Sequence, residues 1–198
     1  MTPAAWVEVG VAGRPLPGQA ESGDASFVCD EGDTVLLAVI DGLGHGSDAA
    51  VASRTGVGIL AQYPGDPIDQ LFQRVHQALG RTRGAVMTIA RLERHARRLT
   101  WAAVGNVVGH LSRVDGTRER VLESGGIVGH SLPRVRVAPV ALRGGELLVL
   151  ATDGVRHDFR DLRAHASPQD TADALLARAA VPTDDALVLI GSIRLEGV

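Results

Sequence analysis

The sequence predicts an α+β fold, with two antiparallel β-sheets packed as a sandwich and flanked by helices. Three observations lead there. Segments whose hydrophobicity alternates with period two outnumber segments of helical period. The strand-like segments follow one another through short turn sequences, which favours antiparallel pairing. The helical segments fall in two blocks, so that helices can cover the outer faces of sheets that no single layer would bury.

Taken in order, residues 6–11 alternate apolar with polar or small side chains, as a half-buried strand does. Residues 26–29 and 34–40 are two more strands, joined by the turn Asp30-Glu31-Gly32-Asp33. From residue 47 to about 62 the spacing becomes helical despite Gly56 and Gly58, and Pro64-Gly65 stops it. A second helix follows Asp66-Pro67, with Ile68, Leu71, Phe72, Val75 and Leu79 on one face. The period then returns to two. Residues 84–92, 99–104 and 107–114 read as a meander, and Asp115-Gly116 turns the chain into a strand at 119–122. Strands at 135–140 and 146–151 meet at Arg143-Gly144-Gly145; residues 171–180 are helical and 186–193 form a closing strand. No repeat or linker divides the chain, so residues 1–198 are expected to form one domain.

Composition narrows the chemistry. All 20 basic residues are Arg, and 15 of the 23 acidic residues are Asp. Without lysine there is no Schiff-base catalysis, no Walker-type phosphate loop and no kinase-type ATP-anchoring lysine. Phosphate would have to be handled by Arg, backbone N–H groups or a metal held by carboxylates. The single Cys29 rules out an internal disulfide or a thiolate zinc site, and the histidines, His76, His95 and His165 among them, have no zinc spacing. A net charge of −3 argues against a nucleic-acid footprint. The longest strongly apolar runs, such as residues 35–40, reach about a third of a membrane span, so a soluble protein is expected; the lone cysteine fits the cytoplasm, and a monomer is the expected state. Arg91, Arg94, Arg97 and Arg98 around Glu93 read as a solvated hairpin turn. Trp6 and Trp101 read as core or rim packing.

The aspartates sort by position. Asp115-Gly116 lies in a polar gap and reads as an ordinary turn. Asp41-Gly42 follows the apolar run Val35-Leu36-Leu37-Ala38-Val39-Ile40, and Asp153-Gly154 follows Leu147-Leu148-Val149-Leu150-Ala151-Thr152. Each of these carboxylates emerges at the end of a buried strand. Asp24 precedes the strand at 26–29, and Asp184 and Asp185 precede the last strand. Strand ends gathered at one edge of a sandwich would pool several negative charges, which need pairing, hydrogen bonds or cations in a site of low dielectric. Hard divalent ions with oxygen ligands meet that need, and two of them can lower the pKa of a shared water and hold phosphoryl oxygens in line.

The string Val39-Ile40-Asp41-Gly42-Leu43-Gly44-His45-Gly46, with Ser22-Gly23-Asp24 upstream, Ala151-Thr152-Asp153-Gly154 downstream and Asp184-Asp185-Ala186-Leu187-Val188-Leu189 near the end, resembles the metal-dependent PPM class of serine/threonine protein phosphatases, in its SpoIIE-like branch. Residues 84–90, Val104-Gly105-Asn106 and residues 125–129 resemble that branch's middle region. The resemblance implies the same sandwich, in four α-β-β-α layers, and a chain without appended input domains, as in the small stressosome phosphatases of the branch. It further implies two Mn²⁺ or Mg²⁺ ions, with Asp41 bridging both and central to catalysis, the Gly42 carbonyl completing the first, and Asp24, Asp153 and Asp184 holding the second. Asp185 could take the place of Asp184. The implied substrates are phosphorylated STAS-domain proteins of a stressosome, or alternatively an anti-anti-sigma factor.

Two features depart from the eukaryotic members of the class. Those place a histidine, as general acid, directly after Asp-Gly; here Leu43 stands there and His45 comes two residues later. Their N-terminal phosphate-gripping arginine has Arg14 as its one counterpart before Arg54. A rival reading makes Gly42-Leu43-Gly44-His45-Gly46 a dinucleotide-binding loop, but Ser47 replaces the third glycine; the glycines more simply let the backbone pass close to a metal and phosphate, with Ser47 or Asp48 capping the helix. A Ser/His/Asp hydrolase built on His130, Ser131 and Asp153 lacks the Gly-x-Ser-x-Gly elbow. A catalytically dead binding module would be expected to have lost carboxylates that this chain keeps.

Overall fold

In a computed structural model that describes residues 6–156, 159 and 166–195, two sheets pack face to face. One contains β1 (Val7–Arg14), β11 (Ala186–Ile193), β10 (Leu147–Ala151), β6 (Val108–Ser112) and β7 (Arg118–Arg120), in that spatial order. The other runs β2 (Asp24–Asp30), β3 (Thr34–Gly42), β4 (Ala85–Glu93), β5 (Arg98–Val104) and β8 (Glu123–Ser124), with β9 (Ala138–Ala141) also on β5. Every pairing is antiparallel except β5 with β8.

Strands buried on both faces explain the continuous apolar runs in the sequence. Val35, Leu37 and Val39 of β3 face the inter-sheet core with Leu148 and Leu150 of β10 and Leu187 and Leu189 of β11. Their neighbours Leu36, Ala38 and Ile40 face outward, under α1 (Ser47–Gln62) and α2 (Ile68–Leu79). Val149, Val188 and Ile190 face outward on the other sheet, under α3 (Pro168–Ala179). Both tryptophans lie in the inter-sheet core. The expected α-β-β-α layering is therefore present. Among the described residues no helix is long and apolar enough to cross a membrane.

Some local expectations change. The segments at 84–92, 99–104 and 107–114 are not a meander, because β6 leaves the sheet of β4 and β5 to pair with β10. The departure occurs at Gly105, whose φ of 89° and close approach to the Val86 side chain admit no Cβ. Beyond it the Val107 carbonyl is held by the Thr88 hydroxyl at 2.5 Å. The turn at Arg143-Gly144-Gly145 likewise crosses between sheets, from β9 on β5 to β10 on β6 and β11. Helix α1 starts from Gly46, with φ 74° and no side-chain cap; Ser47 and Asp48 are already helical, and Asp48 instead pairs with Arg83 at 2.7 Å. Helix α3 starts earlier than expected, with Ser167 accepting from the Asp170 N–H at 3.0 Å.

The β4–β5 turn holds Arg94, Arg97 and Arg98, with Arg98 gripping Glu93. Arg91 is not part of it: its guanidinium donates to the Pro64 and Asp66 carbonyls at 2.7 and 2.6 Å and fastens the α1–α2 connection. His76 is half-buried, and its Nδ1 accepts the Gly129 N–H at 2.9 Å. His165 lies outside the described residues.

Candidate metal centre

The crossovers bring the ends of β2 and β3 in one sheet to the ends of β10 and β11 in the other. In the β2–β3 ladder Asp24 stands directly opposite Asp41, where like charges repel. The ladder continues for one more bond, from the Gly42 N–H to the Gly23 carbonyl at 3.1 Å. Gly42 must be glycine, since a Cβ would run into the Ala49 carbonyl of α1. This close passage fixes the position of the Gly42 carbonyl.

Thr152 joins the two sheets. Its hydroxyl accepts the Leu187 N–H at 3.0 Å and donates to Asp24 Oδ2 at 2.8 Å. Asp153 follows immediately and accepts from Asn106 Nδ2 at 2.7 Å. The tight turn at Gly154, where a Cβ would strike the Asp185 carbonyl, holds the β10 end against the start of β11. Asp185 is 3% exposed and accepts two backbone N–H groups, from Leu16 at 2.7 Å and Gly23 at 2.8 Å. Asp184 is more open, and one of its oxygens takes the Asp185 N–H at 2.9 Å.

The electrostatics follow from this gathering. Burial pushes the Asp41 carboxyl up to about 9, and the charges of Asp24, Asp153, Asp184 and Asp185 push the same way. Burial raises Asp24 to about 7 against the opposing Thr152 hydrogen bond, with Asp185, Asp184 and Asp153 adding to the rise. Asp184 is also raised, chiefly by burial, while the charge of the exposed His45 acts to lower it. The control behaves oppositely: Asp115 is held below its usual value by the Thr117 hydroxyl and N–H, in the β6–β7 turn.

Asp24, Asp41, Gly42, Asp153 and Asp184 thus share one edge, with His45 at its rim. Asp24, Asp41 and Asp184, whose ionisation is opposed by burial and by neighbouring carboxylates, are oxygen donors that fit a hard divalent cation. Among the described residues no three His, Cys, Asp or Glu side chains close into a chelate by themselves. Mg²⁺ and Mn²⁺ keep several waters and need few direct protein ligands. Leu43 packs against the inter-sheet core, and Arg14 donates to the Val181 and Pro15 carbonyls. The dinucleotide reading fails because β3 has only antiparallel neighbours, β2 and β4, and the parallel βαβ unit it requires is missing there.

Sequence reasoning passed over Thr152, Asn106 and the anchoring part of Asp185. Thr152 carried a faint signal, a hydroxyl ending an otherwise apolar strand. The other two depend on partners far away in the chain.

Comparison with known proteins identifies the family and the fold. The model of the family Stage II sporulation protein E (SpoIIE) matches residues 31–194. The phosphoserine phosphatase RsbX of Bacillus subtilis (strain 168) is 24% identical over 180 residues, covering 89% of each chain. The crystal structure of RsbX in complex with magnesium superposes with a TM-score of 0.86 at 24% identity, over 94% of this chain and 95% of that one. A chain from a bacterial stressosome, described as a modular system adapted to control secondary messenger signaling, gives a TM-score of 0.89 at 26% identity, over 93% of this chain and 98% of that one.

Proposed function

The chain belongs to the SpoIIE family, and from that premise we propose that its 198 residues form one metal-dependent protein serine/threonine phosphatase domain. The observation that carries the reading is the opposition of Asp24 and Asp41 across one ladder, joined through Thr152 to the strand end that bears Asp153. In this reading Asp41, the Gly42 carbonyl, Asp24, Asp153 and Asp184 would hold two divalent ions, Mn²⁺ or Mg²⁺, with Asp41 serving both. Asp185, with both oxygens on backbone N–H groups, is an anchor and not a ligand.

Bound there, the ions supply positive charge that activates a water and neutralises the phosphoryl oxygens. The chain's own contribution is positioning. Asp24 keeps one oxygen on the Thr152 hydroxyl and so presents the other to the site. Asn106 does the same for Asp153. Water displaces the seryl or threonyl oxygen in line at phosphorus, giving inorganic phosphate and the free hydroxyl with no phosphoenzyme.

The substrates in this reading are serine- or threonine-phosphorylated STAS-domain proteins of a stressosome, met by a monomeric enzyme in the cytoplasm. The similarity to RsbX and to the stressosome chain supports it. A panel of phosphorylated STAS-domain proteins, stressosome components and an anti-anti-sigma factor together, tests it by phosphate release. Release from stressosome components is the expected result. Release from the anti-anti-sigma factor alone would reassign the substrate.

A further inference from the structure

Residues 132–137 form a ridge that leads into β9, at the far edge of the six-stranded sheet. From the Asp41-Gly42 turn, Leu43 donates to the Gly84 carbonyl at 3.0 Å, and Ala85 and Val128 exchange hydrogen bonds at 2.9 and 2.8 Å. The path thus leads from the acidic edge to residues 127–131. Beyond them Leu132-Pro133-Arg134-Val135-Arg136-Val137, in neither helix nor strand, leads to β9 on β5. Among the described residues the backbone of 132–136 makes no hydrogen bond to the rest of the chain. Such a run offers N–H and C=O groups to an incoming strand. Pro133 and Pro139 bracket it, which confines pairing to the stretch between them.

Two grooves flank this ridge, of about 640 and 730 Å³, and both use Pro133, Arg134, Val135 and Val137 as walls. Neither contains an aspartate of the acidic edge. Arg134 and Arg136 are exposed and, among the described residues, have no carboxylate partner. The neighbouring basic side chains are already committed: Arg98 to Glu93, Arg120 to Glu123, and Arg91 to backbone carbonyls. Apolar surface accompanies the charge, with Val137 40% exposed and Leu122, beside the groove wall, 60% exposed.

We propose that residues 132–137 dock an acidic, extended segment of the phosphoprotein substrate, by strand addition with its carboxylates against Arg134 and Arg136, and so hold the substrate while its phosphorylated residue reaches the acidic edge. The proposal rests on the phosphatase reading for the identity of the occupant. Charge complementarity selects an acidic partner, and the unpaired backbone selects an extended one.

The test is binding of a serine-phosphorylated STAS-domain protein in chelator, where no turnover occurs, to the wild-type chain and to Arg134→Glu/Arg136→Glu. The double variant should bind at least about tenfold more weakly, and wild-type affinity should fall as salt is raised. Equal affinities, or no measurable binding by the wild type, would overturn the docking ridge. Hydrolysis of p-nitrophenyl phosphate with Mn²⁺, unchanged in the double variant, is the separate readout of the active site. Ridge-dependent binding by a protein without that hydrolysis would uphold the ridge and defeat the catalytic reading.

Discussion

The Thr152 hydroxyl, fully buried, donates to Asp24 Oδ2 at 2.8 Å while accepting the Leu187 N–H at 3.0 Å, and in doing so ties the two sheets together at the acidic edge. The nearer acceptor for the hydroxyl proton is Asp24 Oδ2, the Leu187 carbonyl lying 3.4 Å away. Thr152→Val keeps the shape and removes both bonds. Urea unfolding should show a loss of about 1–3 kcal/mol, and calorimetry should show weakened Mn²⁺ binding, with Thr152→Ser recovering most of both. A valine variant with unaltered metal affinity would show that Thr152 does not orient Asp24.

Asp184 and Asp185 are neighbours with different surroundings, and substitution separates them. Asp185→Ala strands the Leu16 and Gly23 N–H groups in a buried place and should cost about 2–3 kcal/mol. Asp184→Asn, at the more open position, should leave the urea midpoint nearly unmoved while weakening Mn²⁺ binding. The reverse pattern would exchange ligand and anchor.

The metal-free protein should lose stability as pH rises. In the fold Asp24 and Asp41 keep their protons to about 7 and about 9, against about 3.9 for an unperturbed aspartate. Between those values the folded chain binds more protons than the unfolded one, so unfolding becomes easier with increasing pH. The contribution is fully present below the unfolded pKa and is lost as pH passes through about 7 and then 9. Thermal melts in chelator at pH 6 and pH 9 should show the lower Tm at pH 9, and Mn²⁺ should narrow the gap. A higher Tm at pH 9 in chelator would contradict the burial of these carboxylates.

Two glycines of α1 answer differently to the same change. Gly58 has open space where a Cβ would stand, so Gly58→Ala should stabilise by about 0.5–1 kcal/mol through helix propensity. Gly56 packs against Ile40, whose Cδ1 would lie 2.9 Å from the new Cβ, and Gly56→Ala should destabilise by about 1–3 kcal/mol. Chemical denaturation of the pair checks how closely α1 seats on β3.

Much of this was readable in the sequence because local chemistry decided it. Pro64-Gly65 ended α1, a single apolar face defined α2, and the uninterrupted run before Asp41 marked β3 as buried on both sides. The sheet assignment of β6 and β10 was not readable, since it depends on Gly105 meeting Val86, 19 residues earlier in the chain, and on ladders between distant strands. The two-residue β8 is too short for any period. For the site, aspartates at strand ends could be picked out one by one. That Asp185 is spent on Leu16 and Gly23, and that Thr152 reaches Asp24 across 128 residues, are facts of the folded pairing alone.

The three Asp-Gly pairs of this chain supply the most direct test of the metal site. Wild type, Asp41→Asn and Asp115→Asn, each stripped with chelator and then titrated with Mn²⁺, are assayed for hydrolysis of p-nitrophenyl phosphate. Stripped protein should be inert, Mn²⁺ should restore turnover to wild type and to Asp115→Asn, and Asp41→Asn should stay at least about a hundredfold lower, as expected when an electrostatic group at the reacting centre is removed. Turnover that survives exhaustive chelation, or equal activity in the Asp41 and Asp115 variants, would contradict a metal centre built on Asp41.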